Sequence, residues 1–105
     1  MATTRRGLVY VVALTTSFQQ VLTAAQTKAI VGFKIKMRYL TGEAPPFFHL
    51  AFTASPSSGA DSDGTGFYSI SGAGSGDMAA PSKGLYARVR DAKDNGKLCE
   101  IMTYG

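Results

Sequence analysis

Between Lys28 and Leu40, in KAIVGFKIKMRYL, apolar residues occupy every second position: Val31, Phe33, Ile35, Met37 and Tyr39, with Gly32, Lys34, Lys36 and Arg38 between them. Successive side chains leave a pleated backbone on opposite faces, so a period of two predicts a β-strand with one buried and one wet face. A slip of one residue would bury three cations and expose five apolar side chains, which pins the register. The segment is expected to be the central strand of a small β-sandwich.

The same test along the chain yields further strands. Leu8 to Leu14 is β-branched or aromatic over most of its length, as in a strand buried on both sides or against a partner. Phe18 to Leu22 makes a second short strand, and Thr23 to Lys28, too short for an isolated helix, bridges to the central one. Pro45 and Pro46 mark a turn over 41–46. In Phe47 to Thr53, Phe48, Leu50 and Phe52 line one face and Phe47, His49 and Ala51 the other. Ala54 to Gly66 is rich in Ser, Gly and Asp and predicts a long loop. Phe67 to Ile70 is a short strand, and Ser71 to Lys83 a glycine-rich flexible connector. Gly84 to Asp91 alternates Leu85, Ala87 and Val89 against Tyr86, Arg88 and Arg90. Asp94, Asn95 and Gly96 predict a hairpin turn. Lys97 to Tyr104 is the last strand, with Cys99, Ile101 and Thr103 on one side and Leu98, Glu100, Met102 and Tyr104 on the other. The expected fold is all-β: a single antiparallel β-sandwich, jelly-roll-like, of about seven strands with long Gly/Ser loops. Residues 1–6, MATTRR, form a basic N-terminal arm, and residues 7–105 a single domain.

Composition agrees with this reading. A chain of 105 residues with 45% hydrophobic and 17% charged residues supports one packed core, and 12 glycines and 4 prolines suit short strands and many turns. The longest apolar run, Leu8 to Leu14, is far short of the roughly 20 residues that cross a bilayer, so no membrane span is expected. Arg5 and Arg6 before it resemble the start of a signal peptide, but Thr15 to Gln20 offers no small-x-small cleavage site. The single cysteine, Cys99, excludes an internal disulfide and a cysteine-based zinc site, and its strand-like setting predicts a buried apolar role. A net charge of +4 favours an anionic neighbour.

Candidate chemistry is sparse. His49 is the only histidine, so neither a His-His metal pair nor a supported nucleophilic triad is expected. Asp61 and Asp63 in DSDGTG start like a calcium loop, but Thr65 holds the third ligand position and no closing glutamate follows, leaving an Asx-type turn. Gly72, Gly74 and Gly76 lack the lysine and the helix of a phosphate-binding loop. No catalytic site, cofactor or metal is expected. What stands out is charge: Lys34, Lys36 and Arg38 form a stripe on one strand face. If Arg88 and Arg90 lie on the same sheet, five cations share a surface, either solvated or docked on an acidic partner, with Arg5 and Arg6 of the arm as further contacts. Nucleic acid is disfavoured, because the aromatics mostly take the opposite parity from the cations.

Over residues 8–105 the chain resembles the small β-sandwich virion proteins of tailed bacteriophages, the capsid decoration or cement proteins and related head-fibre and tail modules. The cues are TTSFQQVLTAAQTKAIVGFKI, then PFFHLAF, a long Ser/Gly/Asp loop, GLYARVRD and a terminal EIMTYG. The second Gly-rich segment and the strong basic stripe depart from the usual look, which bears on the mode of attachment. The resemblance implies a non-enzymatic structural protein on the capsid surface of the virion. Its partner would be the major capsid protein, whose neighbouring subunits it would clamp as a homo-oligomer, a trimer being one arrangement. The alternative is a tail or fibre module that binds host-surface glycan, with Tyr68, Tyr86 or Tyr104 stacking on sugar rings, or that joins other tail proteins.

Overall fold

A computed structural model describes residues 7–57, 62–71, 76–81 and 83–105. The alternation at Phe33, Ile35 and Met37 produces strand β3 (Gly32–Met37), with those three side chains buried and Lys34 and Lys36 in solvent. Seven more strands are present among the described residues: β1 (Leu8–Ala13), β2 (Gln19–Leu22), β4 (Phe48–Ala51), β5 (Tyr68–Ile70), β6 (Gly76–Ala79), β7 (Leu85–Val89) and β8 (Leu98–Tyr104). A short helix, α1 (Ala24–Lys28), lies between β2 and β3, and a single 3-10 turn spans Ala92–Asp94.

The strands form two antiparallel sheets of four. Sheet A has the order β1-β8-β3-β6 and sheet B the order β2-β7-β4-β5. Among the described strands only β4 and β5 follow one another within a sheet; the other connections pass from one sheet to the other, which is the wiring of a jelly roll. The inner faces meet in one apolar cluster, with Phe33, Ile35 and Ile101 from sheet A against Phe48, Leu50 and Leu85 from sheet B. As expected, β3 is an interior strand, paired with β8 from Gly32↔Tyr104 to Met37↔Cys99. It is six residues long rather than thirteen, so Val31 and Tyr39, at its ends, are exposed.

The eighth strand is β6, inside the segment expected to be a glycine-rich connector. It adds to the edge of sheet A through Gly32↔Ala79 and Ile35↔Gly76. Main-chain pairing needs no alternating side chains, so an edge strand of this composition leaves no periodic trace. The bridge after β2 is helical because Thr23 and Gln26 form a capping box. The Thr23 N–H donates to Gln26 Oε1 at 2.8 Å, and the Gln26 N–H donates to Thr23 Oγ1 at 3.2 Å. The turn is then anchored by buried Thr27, whose hydroxyl donates to the Lys83 carbonyl at 3.1 Å.

Two expectations are corrected. Asp94, Asn95 and Gly96 do turn the chain, with the Lys97 N–H donating to the Asp94 carbonyl at 3.1 Å, but they do not make a hairpin. Only Gly96, at φ 86°, takes a left-handed conformation, Asn95 stays at φ −53°, and the strands on either side belong to different sheets. This is the geometry of a type II turn, which needs positive φ at one position rather than two. Of the two settings expected of strand β1, burial on both sides within the chain does not hold, which leaves burial against a partner. β1 is an edge strand whose Leu8, Val9 and Val11 are exposed.

Candidate functional site

The five strand cations fall on opposite sides of the sandwich. Lys34, Lys36 and Arg38 project from or just beyond β3, on the outer face of sheet A. Arg88 and Arg90 lie on or just beyond β7, on the outer face of sheet B. The shared five-cation surface therefore does not exist, because β3 and β7 lie in different layers. Arg5, Arg6 and Asp61 lie outside the described residues.

On sheet A the stripe is set against the strand beside it. Glu100 of β8 stands in register with Lys36. It accepts from Arg38 Nε at 2.6 Å and lies 3.5 Å from Lys36 Nζ. The hydrogen bond from Arg38 holds the Glu100 carboxyl below its ordinary pKa, with Lys36 adding to the effect. Next to this triad is a shallow concavity of about 400 Å³, lined by Val9, Lys34, Ile35, Lys36, Glu100 and Met102. Its chemistry follows from strand parity. Even-numbered residues of β3 and β8 and odd-numbered residues of β1 share the outer face, which sets an apolar strip, Val9 and Met102, beside ammonium groups.

On sheet B the cations are taken up by the protein's own rings. The Arg88 guanidinium lies 4.3 Å from the centre of the Phe18 ring and 4.9 Å from that of Phe67. Its Nε donates to His49 Nδ1 at 3.0 Å, across the register pair His49↔Arg88. The His49 and Phe67 rings are 4.4 Å apart. An imidazole that accepts at Nδ1 carries its proton on Nε2 and is neutral. Burial, then the charges of Arg88 and Arg90, lower the His49 pKa from 6.5, with Asp91 opposing them. Arg90 stacks 4.0 Å over Phe47 and pairs with Asp91 at 3.0 Å. Aromatic rings and cations are therefore interleaved here, contrary to the parity expectation. The rings of Phe18 and Phe67 come from just outside β2 and β5, where strand parity does not apply.

The chain matches no protein-family model, no curated protein and no solved structure.

The remaining candidates have local partners. Asp63 Oδ1 accepts from the Thr65 N–H at 3.0 Å and from the Thr65 hydroxyl at 2.6 Å, which closes an Asx-type turn. Cys99 is fully buried on β8, and burial pushes its thiol up to about 12. Lys97 bonds to Glu43 and lies 3.7 Å from Asp94, tying the turn after β3 to the turn before β8. Among the described residues no three His, Cys, Asp or Glu side chains converge on a common point. The face of sheet A is thus the site with the most chemistry turned toward solvent. Sequence reasoning found its lysines, but it missed Glu100 as their counter-charge and Val9 and Met102 as their apolar neighbours.

Proposed function

We propose that the protein is a non-enzymatic structural virion protein, a capsid decoration or cement protein that stabilises a phage head by clamping neighbouring major capsid subunits. The observation that carries this reading is the outer face of sheet A. Lys34 and Lys36 are held on a rigid interior strand beside an apolar strip, a surface suited to burying area against an acidic neighbour. The likeness of the strand-and-loop order to such virion proteins supports it. So does the jelly roll itself, an architecture that capsid domains use, with fold alone deciding no function.

The test is addition of the purified protein to preformed shells that lack it. The expected result is saturable, stoichiometric binding and a raised shell melting temperature. Reversing charge in a Lys34→Glu/Lys36→Glu variant should weaken binding by at least about tenfold at low salt, with the difference shrinking as salt screens the contact. Failure to add to any shell removes the reading. A glycan-binding tail or fibre module is the second reading, and it is favoured by Tyr68, which is 63% exposed. Tyr86 and Tyr104 lie on other strands and do not join Tyr68 in one platform. On that reading Tyr68→Ala abolishes glycan capture and leaves shell addition untouched.

A further inference from the structure

Among the described residues, strands β1 and β6 are the edges of sheet A, and β2 and β5 those of sheet B. Three of these edges are blunted. β5 has three residues, β2 carries a register shift between Gln20 and Leu22, and β6 is four residues that include a glycine and an aspartate. β1 has none of these features. Its six residues, LVYVVA, contain no charge, proline or glycine, and its pairing with β8 runs unbroken from Leu8↔Thr103 to Ala13↔Leu98. Edges of this kind are normally protected, because unpaired main-chain groups on a flat apolar strand recruit another strand.

The pairing also fixes which groups face outward. The Leu14 N–H donates to the Lys97 carbonyl at 3.0 Å, and both the N–H and the carbonyl of Leu8 bond to the Thr103 hydroxyl. Even-numbered residues of β1 therefore bond to β8, while the main-chain groups of Val9, Val11 and Ala13 point away from the sheet. We infer that β1 pairs antiparallel with β1 of a second copy, about a two-fold axis through Val11, joining two A sheets into one continuous sheet. Val11 then faces its own mate and Val9 faces Ala13, with main-chain bonds in both directions. The Ala13 carbonyl, which already accepts from Gln19 Nε2 at 3.0 Å, has a second lone pair for the seam.

A second copy fits because the two-fold register matches the outward groups of Val9, Val11 and Ala13 to the same set on its mate, and charge does not oppose it despite the net +4. The residues meeting at the seam are uncharged, and β8 and β1 of each copy separate Lys36 from its mate. With strands about 4.8 Å apart, the two Lys36 positions lie roughly 24 Å from each other, well beyond a screening length of about 8 Å. Val9, 62% exposed, together with Val11, Leu98 and Met102, would run as one apolar belt across the join. This pairing uses the main-chain edge and stands whether or not the shell reading holds. A single seam of this length is small beside stable interfaces of about 1,200 Å² and more, so the dimer is reversible.

Sedimentation of the full chain over a wide concentration series tests the inference. The wild type should pass from monomer to dimer and stop there, since a two-fold seam is closed. Val11→Pro removes only an outward-pointing N–H, a change edge strands tolerate, and should weaken dimerisation by at least about tenfold with an unchanged circular dichroism spectrum. Val11→Cys provides a second variant. Paired Cα atoms in such a seam lie about 5.5 Å apart, within disulfide reach, so mild oxidation should give a covalent dimer. Buried Cys99 does not compete. A monomer at every concentration, which leaves the edge to a strand from a different protein, overturns the inference. So does a trimer, a dimer that folded Val11→Pro leaves intact, or a Val11→Cys variant that does not cross-link.

Discussion

At His49 one proton decides whether Arg88 keeps its acceptor. Burial penalises the charged imidazolium and the charges of Arg88 and Arg90 repel it, which together lower its pKa from 6.5, and protonating Nδ1 would remove the hydrogen bond from Arg88. A base with a lowered folded-state pKa binds its proton first in the unfolded chain. The His49 contribution to stability is therefore complete above pH 6.5, and it is lost as pH falls below that value through the folded-state pKa. A melting-temperature series over pH should show the wild type losing stability in that window, relative to a His49→Gln variant that keeps an acceptor and does not titrate. Parallel curves would show that the histidine carries no such coupling. The stripe of Lys34, Lys36 and Arg38 was readable from parity alone. Its counter-charge was not, because Glu100 lies 62 positions from Arg38 and meets it only through the β3–β8 register.

Among the elements, β3 and β8 carried their own signature, since each buries one face and exposes the other. β2 blurred its signature with a bulge. Two of its residues span one residue of β7, so the consecutive Val21 and Leu22 are both buried. The Asn-Gly turn was legible as a turn, but whether it makes a hairpin depends on partners distant in sequence. β8 completes the gap between β1 and β3, so it leaves β7 for the other sheet. Close packing between elements also leaves its mark at Gly32. A Cβ there would stand 2.7 Å from the Met78 carbonyl of β6 and 2.7 Å from the Tyr104 hydroxyl. The tyrosine can swing away, but the β6 backbone cannot without giving up its pairing. Gly32→Ala should cost about 1–3 kcal/mol in urea unfolding. An unchanged midpoint would mean that β6 shifts freely.

For the molecule as a whole, Cys99 offers a reporter of cooperativity. It is fully buried on an interior strand of sheet A, and its thiol is pushed up to about 12. An aromatic disulfide reagent should leave the native protein unlabelled and react only as the sandwich opens. Labelling should then speed up as denaturant is added, with the same denaturant dependence as global unfolding. Labelling that outpaces unfolding would reveal a separate opening of sheet A. That sheet also sets the order of events in synthesis. The strand between β1 and β3 is β8, so residues 8–13 and 32–37 have no common neighbour until residues 98–104 arrive. A ribosome-bound chain that has not yet delivered them holds an incomplete layer with its oily side uncovered, which gives chaperones their moment to act.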